Sequence, residues 1–446
     1  MNVDRHSALL TDFYQLTMLQ AYFSQQMNDI ASFEFFVRRL PDERNFLLAA
    51  GLAQVVAYLA ELHFTEQDLA WLRKSGKFSD AFLASLAGWR FSGDVDAMPE
   101  GTVFFPDEPI LRITAPLREA QFVESRVMNL LHFQTLIASK AARSRIAAPG
   151  KRLIDFGLRR AHGAEAALLS ARAAWLAGFD GTASTQAAAL FDIPVSGTMA
   201  HSFIQAHESE AEAFAAFARV FPGDATLLID TYDTEAGAHQ VVQLARRLRD
   251  EGIRIKAVRL DSGDLDTLAQ HVRAILDDGG CEDIGIVASG NLDEYALQAL
   301  ADSEAPINGF GVGTRMNTSA DAPYLDCAYK LVEYAGQARR KRSSGKMTWP
   351  GRKQVVRQHD AAGVMSRDTL ALHDEIAAGQ ALLRPVMRAG ALLEELPALR
   401  EIRAHAQAQL AALPPALLNL EAAPAYPVQV SEALRKLTRQ VDEHTG

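Results

Sequence analysis

Cysteine, excess positive charge and long apolar runs are all scarce in this sequence, and each shortage removes a class of function. Two cysteines occur in 446 residues, Cys281 and Cys327, without CxxC or histidine spacing. Neither a zinc site nor a disulfide framework is indicated, no set of metal-ligating side chains is predicted, and a reducing cytoplasm is the expected home. The 45 Lys and Arg are outnumbered by 55 Asp and Glu, a net charge of −10, which disfavours a general nucleic-acid binder. Anionic ligands must then be held by local clusters of cations, not by the global field. The first residues, MNVDRHSALLTDFYQLT, lack a basic stretch followed by an apolar core, so no signal peptide is read. The Ala-rich run after Gly163 is interrupted by Glu165 and Arg172, well short of the ~20 apolar residues of a membrane helix, and no membrane partner is expected. There is no internal repeat, no low-complexity linker, no histidine cluster and no Ser–His–Asp arrangement.

What is present is an ordinary folded composition, 48% hydrophobic and 22% charged, in a chain longer than one domain of ~150 residues needs. Leu9, Leu10, Phe13, Leu16 and Leu19 recur at helical spacing, with Thr11 and Asp12 as candidate caps and Tyr14 off the apolar stripe. Residues 32–38 alternate like a strand, 45–51 lead into a helix over 52–62, and 91–116 hold short strand signals broken by Gly and Pro, which together predict an α+β layer. Residues 117–148 read as one long helix or two abutting ones, ended by Pro149-Gly150. From Lys151 short apolar strands, predicted at 153–157, 193–197, 226–230, 255–260, 284–288 and 307–310, alternate with amphipathic helices such as 235–250 and 265–277. Asp230, Asp261 and Ser289 lie 31 and 28 residues apart, close to one unit of a (β/α) barrel of ~250 residues. A doubly wound sheet is the competing topology, weakened because no GxGxxG opens a helix. Past about residue 316 the alternation fades. There 329–334 and 353–358 read as hairpin strands flanking a basic loop, and a helical tail from Leu396 is expected to pack back on the N-terminal layer.

Chemistry concentrates where the predicted strands end. Residues 153–163 (LIDFGLRRAHG) place two arginines, Arg159 and Arg160, on a turn between a strand and a helix, as an anion site or as solvated loop side chains. Asp230 and Asp233 follow the 226–230 strand, and Arg259, Asp261 and Asp264 surround Ser262-Gly263. Such carboxylates hold a sugar diol or a Mg²⁺, or else cap helices. Ser289-Gly290 and the Gly311, Gly313, Thr314 turn let backbone N–H groups approach a phosphate. His201 sits just beyond another strand, on the same side as the arginines and carboxylates.

Taken in order, these motifs resemble the nicotinate phosphoribosyltransferases. The likeness runs through LLTDFYQLTM (9–18), FEFFVRRLP (33–41), DFGLRRAHG (155–163), SGTMAHS (196–202), DTYDT (230–234), VRLDSGDL (258–265), GFGVGT (309–314) and GKMTWPGRKQV (345–355). The resemblance implies an α/β chain in which an irregular (β/α) barrel, 131–328, joins an α+β sandwich formed by both chain ends, 1–130 and 329–446. It implies transfer of the phosphoribosyl group of 5-phosphoribosyl 1-pyrophosphate to nicotinate, coupled to ATP hydrolysis, with Mg²⁺, in a homodimer whose active sites are shared. By motif, Phe156 would stack on the pyridine ring, the neighbouring subunit's Tyr14 would cover its other face, and Arg159 would pair with the nicotinate carboxylate. His201 would be the histidine that ATP phosphorylates. Asp261 and Arg259, with Asp230, would handle the ribose and pyrophosphate, and Ser289, Gly290, Gly311, Gly313 and Thr314 the phosphate turns. Lys341, Lys346 and Lys353 of the basic loop would close on the phosphates. One departure is Thr185, which follows Ser184 where relatives commonly carry Asn. The alternative is a nicotinamide phosphoribosyltransferase, but relatives that use the amide carry an acid where Ser184 stands. A Schiff-base aldolase would need a lysine at a strand end, whereas Lys151 and Lys256 come before or early in their strands.

Overall fold

The computed structural model describes residues 7–444, so the first six residues of the leader reading lie outside the described residues. The chain forms two compact units, one of residues 7–139 and 324–444 and one of Lys140–Pro323. The dividing positions thus fall at 140 and 324, where 131 and 329 were expected.

The unit made from both chain ends is built on an antiparallel seven-stranded sheet. Its order is Gln337–Ala338, Cys327–Tyr334, Ile30–Val37, Leu111–Pro116, Asp94–Ala97, Arg384–Arg388 and Ala391–Leu392. Ile30–Val37, third in that order and flanked by Cys327–Tyr334 and Leu111–Pro116, is buried from Ala31 onward on both faces. A second sheet takes Gln380–Ala381, Lys353–His359, Met365–Leu372 and, in parallel, Val428–Val430. The two predicted hairpin strands are therefore not partners: Cys327–Tyr334 pairs with Ile30–Val37, and Lys353–His359 pairs with Met365–Leu372. In the latter ladder Arg357 stands opposite Asp368, both fully buried, with Nη2 2.6 Å from Oδ2. The tail closes onto this pair and onto the front of the chain. Gln409 accepts from Arg357, the Tyr426 hydroxyl donates to Asp368, and the Asn45 amide donates to the carbonyls of Asn419 and Glu421. Buried charges persist because each is paired and hydrogen-bonded.

Lys140–Pro323 carries a curled, six-stranded parallel sheet, a half-barrel. Its order is Gly181–Thr182, Arg152–Asp155, Gly309–Val312, Gly285–Ala288, Ile255–Leu260 and Ala225–Leu228. The helices Thr234–Asp250 and Leu265–Asp278 follow their 3.6-residue stripes, burying Val241, Leu244 and Leu248 in one and Ala269, Val272 and Leu276 in the other. The strand expected at 193–197 is reduced to one bridge, Thr182 to Val195, and the ladder is taken by Gly181–Thr182 instead. Among the described residues no helix is long and apolar enough to cross a membrane.

Candidate active site

A parallel sheet collects its strand ends on one edge, so residues distant in sequence meet there. Following the six strands come Ser184, Phe156, Gly313 and Thr314, Ser289 and Gly290, Asp261, and Asp230.

Arg259, in the strand Ile255–Leu260, joins most of them. Its Nε donates to Ser289 Oγ (2.9 Å), Nη1 to Thr198 Oγ1 (2.7 Å) and the Met199 carbonyl (3.3 Å), and Nη2 to Asp261 Oδ1 (3.0 Å). The guanidinium also lies 5.5 Å from the centroid of the Phe156 ring, and 12% of the side chain is exposed. Each of its nitrogens has a protein partner, so it positions Phe156, Asp261, Ser289 and the loop before His201.

The two carboxylates are linked. Asp230 Oδ2 accepts from the Asp261 backbone N–H (2.9 Å) and from the Ser262 hydroxyl (2.6 Å). Its other oxygen is buried with no hydrogen-bond partner among the described residues. Burial pushes the Asp261 carboxyl up, but the Ser289 hydroxyl, the Arg259 guanidinium and His201 outweigh it and hold the group below the ordinary aspartate value. His201 Nδ1 lies 3.1 Å from Thr231 Oγ1, and Nε2 lies 3.8 Å from Asp261 Oδ2. The remaining acids part company with this cluster. Asp233 caps the helix Thr234–Asp250 by accepting from Ala236 N (2.8 Å), and Asp264 accepts from the Thr267 hydroxyl.

Phe156 is seated by its own backbone N–H, which donates to the Val312 carbonyl (2.8 Å), and by the absence of a side chain at Gly311. A Cβ at Gly311 would fall 2.6 Å from the ring, and one at Gly290, where φ is +108°, would fall 2.2 Å from the Asp261 carbonyl oxygen. These glycines serve close packing of the site wall in addition to any approach to a ligand. Asp155, fully buried beneath Phe156, accepts from Thr182 Oγ1 (2.7 Å) and Gly157 N (2.9 Å), and burial raises its carboxyl. Ser184 is buried at the start of the helix Thr185–Phe191. Arg159 and Arg160 are exposed on the turn Leu158–Arg160, with no ion pair to a described residue.

Tyr14 belongs to the other unit, on the helix Phe13–Ser24, and is 48% exposed. It lines a cavity of about 690 Å³ together with Lys341, Lys346, Arg38, Lys330 and Glu124. Asp12, expected as a cap, makes no side-chain cap bond and accepts from the Ser125 hydroxyl (2.7 Å). Lys353 does not join Lys341 and Lys346. It is buried, 2.7 Å from Glu34 Oε2, and donates to the carbonyls of Trp349 and Gly351.

Sequence reading missed Thr198, Thr231, Ser262 and Asp155 as site members. Their signal was a hydroxyl or acid inside the same motifs as the charged candidates. Arg38 stood inside the FEFFVRRLP motif without a role assigned to it, and Glu124 carried no comparable signal.

Profiles of the nicotinate phosphoribosyltransferase N-terminal domain, family and C-terminal domain match residues 9–132, 151–341 and 378–438. The Mycobacterium tuberculosis nicotinate phosphoribosyltransferase pncB2 is 50% identical over 437 residues, covering 97% of this chain and 94% of that protein. The Bacillus subtilis nicotinate phosphoribosyltransferase is 38% identical over 394 residues, 85% and 79% of the two chains. The crystal structure of human nicotinic acid phosphoribosyltransferase superposes with a TM-score of 0.87 at 32% identity, covering 97% of this chain and 99% of that one. With all three parts of the family matched in order along it, the chain belongs to the nicotinate phosphoribosyltransferase family.

Proposed function

We propose that this chain transfers the phosphoribosyl group of 5-phosphoribosyl 1-pyrophosphate to nicotinate, giving nicotinate mononucleotide and pyrophosphate, the first step of NAD synthesis from nicotinate. The observation that carries the reading is the convergence of an aromatic ring, Phe156, with Asp230, Asp261 and His201 on one edge of the parallel sheet, organised by Arg259. The pyridine nitrogen bonds to ribose C1 as the C1–O bond to pyrophosphate breaks and its electron pair leaves with the pyrophosphate. The passing state is oxocarbenium-like, so a carboxylate kept ionised below the ordinary range, as Asp261 is, stabilises it. Phe156 offers a face to the pyridine ring, and the exposed Arg159 a planar fork to its carboxylate. The turns at Ser289-Gly290 and Gly311, Gly313 and Thr314 take the phosphate.

A Mg²⁺ fits this edge. Asp230 keeps a buried carboxylate oxygen without a protein partner, and Mg²⁺ characteristically uses one or two carboxylates plus substrate oxygens. Asp230 and Asp261 would hold it, and it would neutralise charge on the pyrophosphate. Among the described residues no cluster of three ligating side chains stands ready to hold an ion alone.

In the same reading His201 couples the reaction to ATP. Its Nε2 attacks the γ-phosphorus, ADP departs, and water later cleaves the P–N bond to release phosphate. Nδ1 engages Thr231 Oγ1 at 3.1 Å, which leaves Nε2 as the ring nitrogen outside that contact, and the side chain is 41% exposed. The enzyme acts as a homodimer in which the partner's Tyr14 covers the pyridine at Phe156; the exposure of Tyr14 supports this. A cytoplasmic location is supported by two unpaired cysteines, Cys281 and Cys327.

Incubation of the purified protein with phosphoribosyl pyrophosphate and either nicotinate or nicotinamide, with and without ATP, tests the reading. Nicotinate mononucleotide and pyrophosphate should form in equal amounts, faster with ATP. Equal turnover of the amide would overturn the acid specificity, and indifference to ATP would remove the role of His201.

A further inference from the structure

The basic loop is tied to the far end of the chain. Lys341 N donates to Thr348 Oγ1 (3.0 Å) and Thr348 N to the Lys341 carbonyl (3.1 Å), which closes residues 341–348 into a ring. On either side of Lys341, two arginines reach one residue of the C-terminal helix Glu432–His444. Arg340 Nη1 lies 3.4 Å from Asp442 Oδ2, and Arg342 Nη1 donates to the Asp442 carbonyl at 3.1 Å. Arg340 is a shielded partner, with 9% of its side chain exposed, and the helix is itself anchored by the fully buried Leu434. While its neighbours turn to Asp442, Lys341 lines the cavity beside Tyr14, and so does Lys346 from within the ring.

We propose that Asp442 is a positioning residue, a clamp that holds the 340–342 segment and thereby aims Lys341 and Lys346 into the cavity to meet a phosphate of phosphoribosyl pyrophosphate. This rests on the reading above for the ligand. The clamp itself rests on the distances. A lysine ammonium on four rotatable bonds gains little from a phosphate unless its backbone is already fixed, because ordering it costs entropy on binding. A C-terminal helix that fixes the loop beforehand removes that cost, so its loss should appear in substrate affinity and leave the chemical step alone.

The test uses the full chain with Asp442→Asn, Asp442→Glu, Arg340→Gln and the Asp442→Asn/Arg340→Gln double variant, with Lys346→Ala as the reference for the loop. Thermal unfolding checks that each is folded. Two readouts are taken: the rate of limited trypsin cleavage after Lys341, Arg342 and Lys346, which reports loop opening whatever the loop binds, and KM for phosphoribosyl pyrophosphate against KM for nicotinate and kcat. Asp442→Asn should speed cleavage and raise KM for phosphoribosyl pyrophosphate by about fivefold, the scale of a partly shielded ion pair, with KM for nicotinate and kcat held within about twofold. Asp442→Glu should restore both readouts, and the double variant should be no worse than either single one, as expected for partners in one contact. Unchanged cleavage in Asp442→Asn overturns the clamp. Faster cleavage with unchanged KM overturns its functional role if Lys346→Ala does raise KM. If Lys346→Ala also leaves KM unchanged, the failure lies in the phosphate reading of the loop, and the aiming of these lysines at phosphate falls with it. If Asp442→Asn does not fold, Arg340→Gln carries the same criteria from the other side of the pair.

Discussion

Arg159 stands exposed on a short turn while Arg259 is enclosed among Ser289, Thr198, Asp261 and the Phe156 ring, so one residue type serves two ends within one site. Among the described residues the Arg159 guanidinium has no ion-pair partner, so it is available to a ligand carboxylate. Removing one member of a desolvated charge pair costs ~2–5 kcal/mol, so Arg159→Ala should lower kcat/KM for nicotinate by about 30-fold or more. Steady-state kinetics with both bases check this, since turnover of nicotinamide should not fall in parallel. His201 is held differently, by Thr231 on Nδ1 and with Asp261 facing Nε2. His201→Ala should abolish ATP hydrolysis that depends on both other substrates, while some ATP-independent transfer survives on Asp230, Asp261 and Arg159. A coupled phosphate-release assay run beside product formation separates the two, and normal ATP hydrolysis in the variant would refute the role.

Among the elements, the helix Glu210–Val220 brings a carboxyl close enough to Asp230 and Asp233 to feel their charges. Glu210, 6% exposed at its first turn, is pushed up to about 7 by burial and then by the nearby charges of Asp230 and Asp233. A folded-state value above the unfolded ~4.3 means that the stability it contributes is complete below that pH and is lost as pH rises through about 7. Against Glu210→Gln, which cannot titrate, the wild-type melting temperature should therefore fall progressively between pH 5 and 8. Paired thermal scans over that range check it, and parallel curves would show that Glu210 does not titrate there. The same region shows an element that did not form as its sequence suggested. Residues 193–197 are apolar enough for a strand, yet Val195 makes a single bridge to Thr182, because the edge strand it meets, Gly181–Thr182, is only two residues long.

For the whole molecule, the proposed dimer has a sharp consequence. If each site combines Phe156, Arg159 and His201 of one subunit with the partner's Tyr14, then Tyr14→Ala and His201→Ala dimers are each impaired. Mixed dimers then place both lesions in one site and neither in the other. ATP-coupled activity should return to about half of wild type per mixed dimer if the two sites act independently. Subunit exchange verified by native mass spectrometry, followed by the activity assay, checks this. No recovery would assign Tyr14 to its own chain's site or to none.

Local periodicity was enough to read the strand Ile255–Leu260 and the helices Thr234–Asp250 and Leu265–Asp278, because the two- and 3.6-residue repeats of burial are written into neighbouring residues. Placing Phe156, Asp230, Asp261 and Ser289 at strand ends needed nothing more, and parallel strands then guaranteed one shared edge. Pairing was another matter. Lys353 sits in a basic stretch and read as a mobile cation, yet its backbone and ammonium are bound by Glu34, 319 residues earlier. The commitment of Arg259 to Thr198 and Ser289, and the clasp between Arg340 and Asp442, likewise join segments with no local relation. Short-range pattern determined which residues lie on which face of each element. Only the tertiary structure decided which charges meet, because a buried or half-buried ion is stable where the fold supplies its counter-ion and hydrogen bonds, and that partner is chosen by three-dimensional packing.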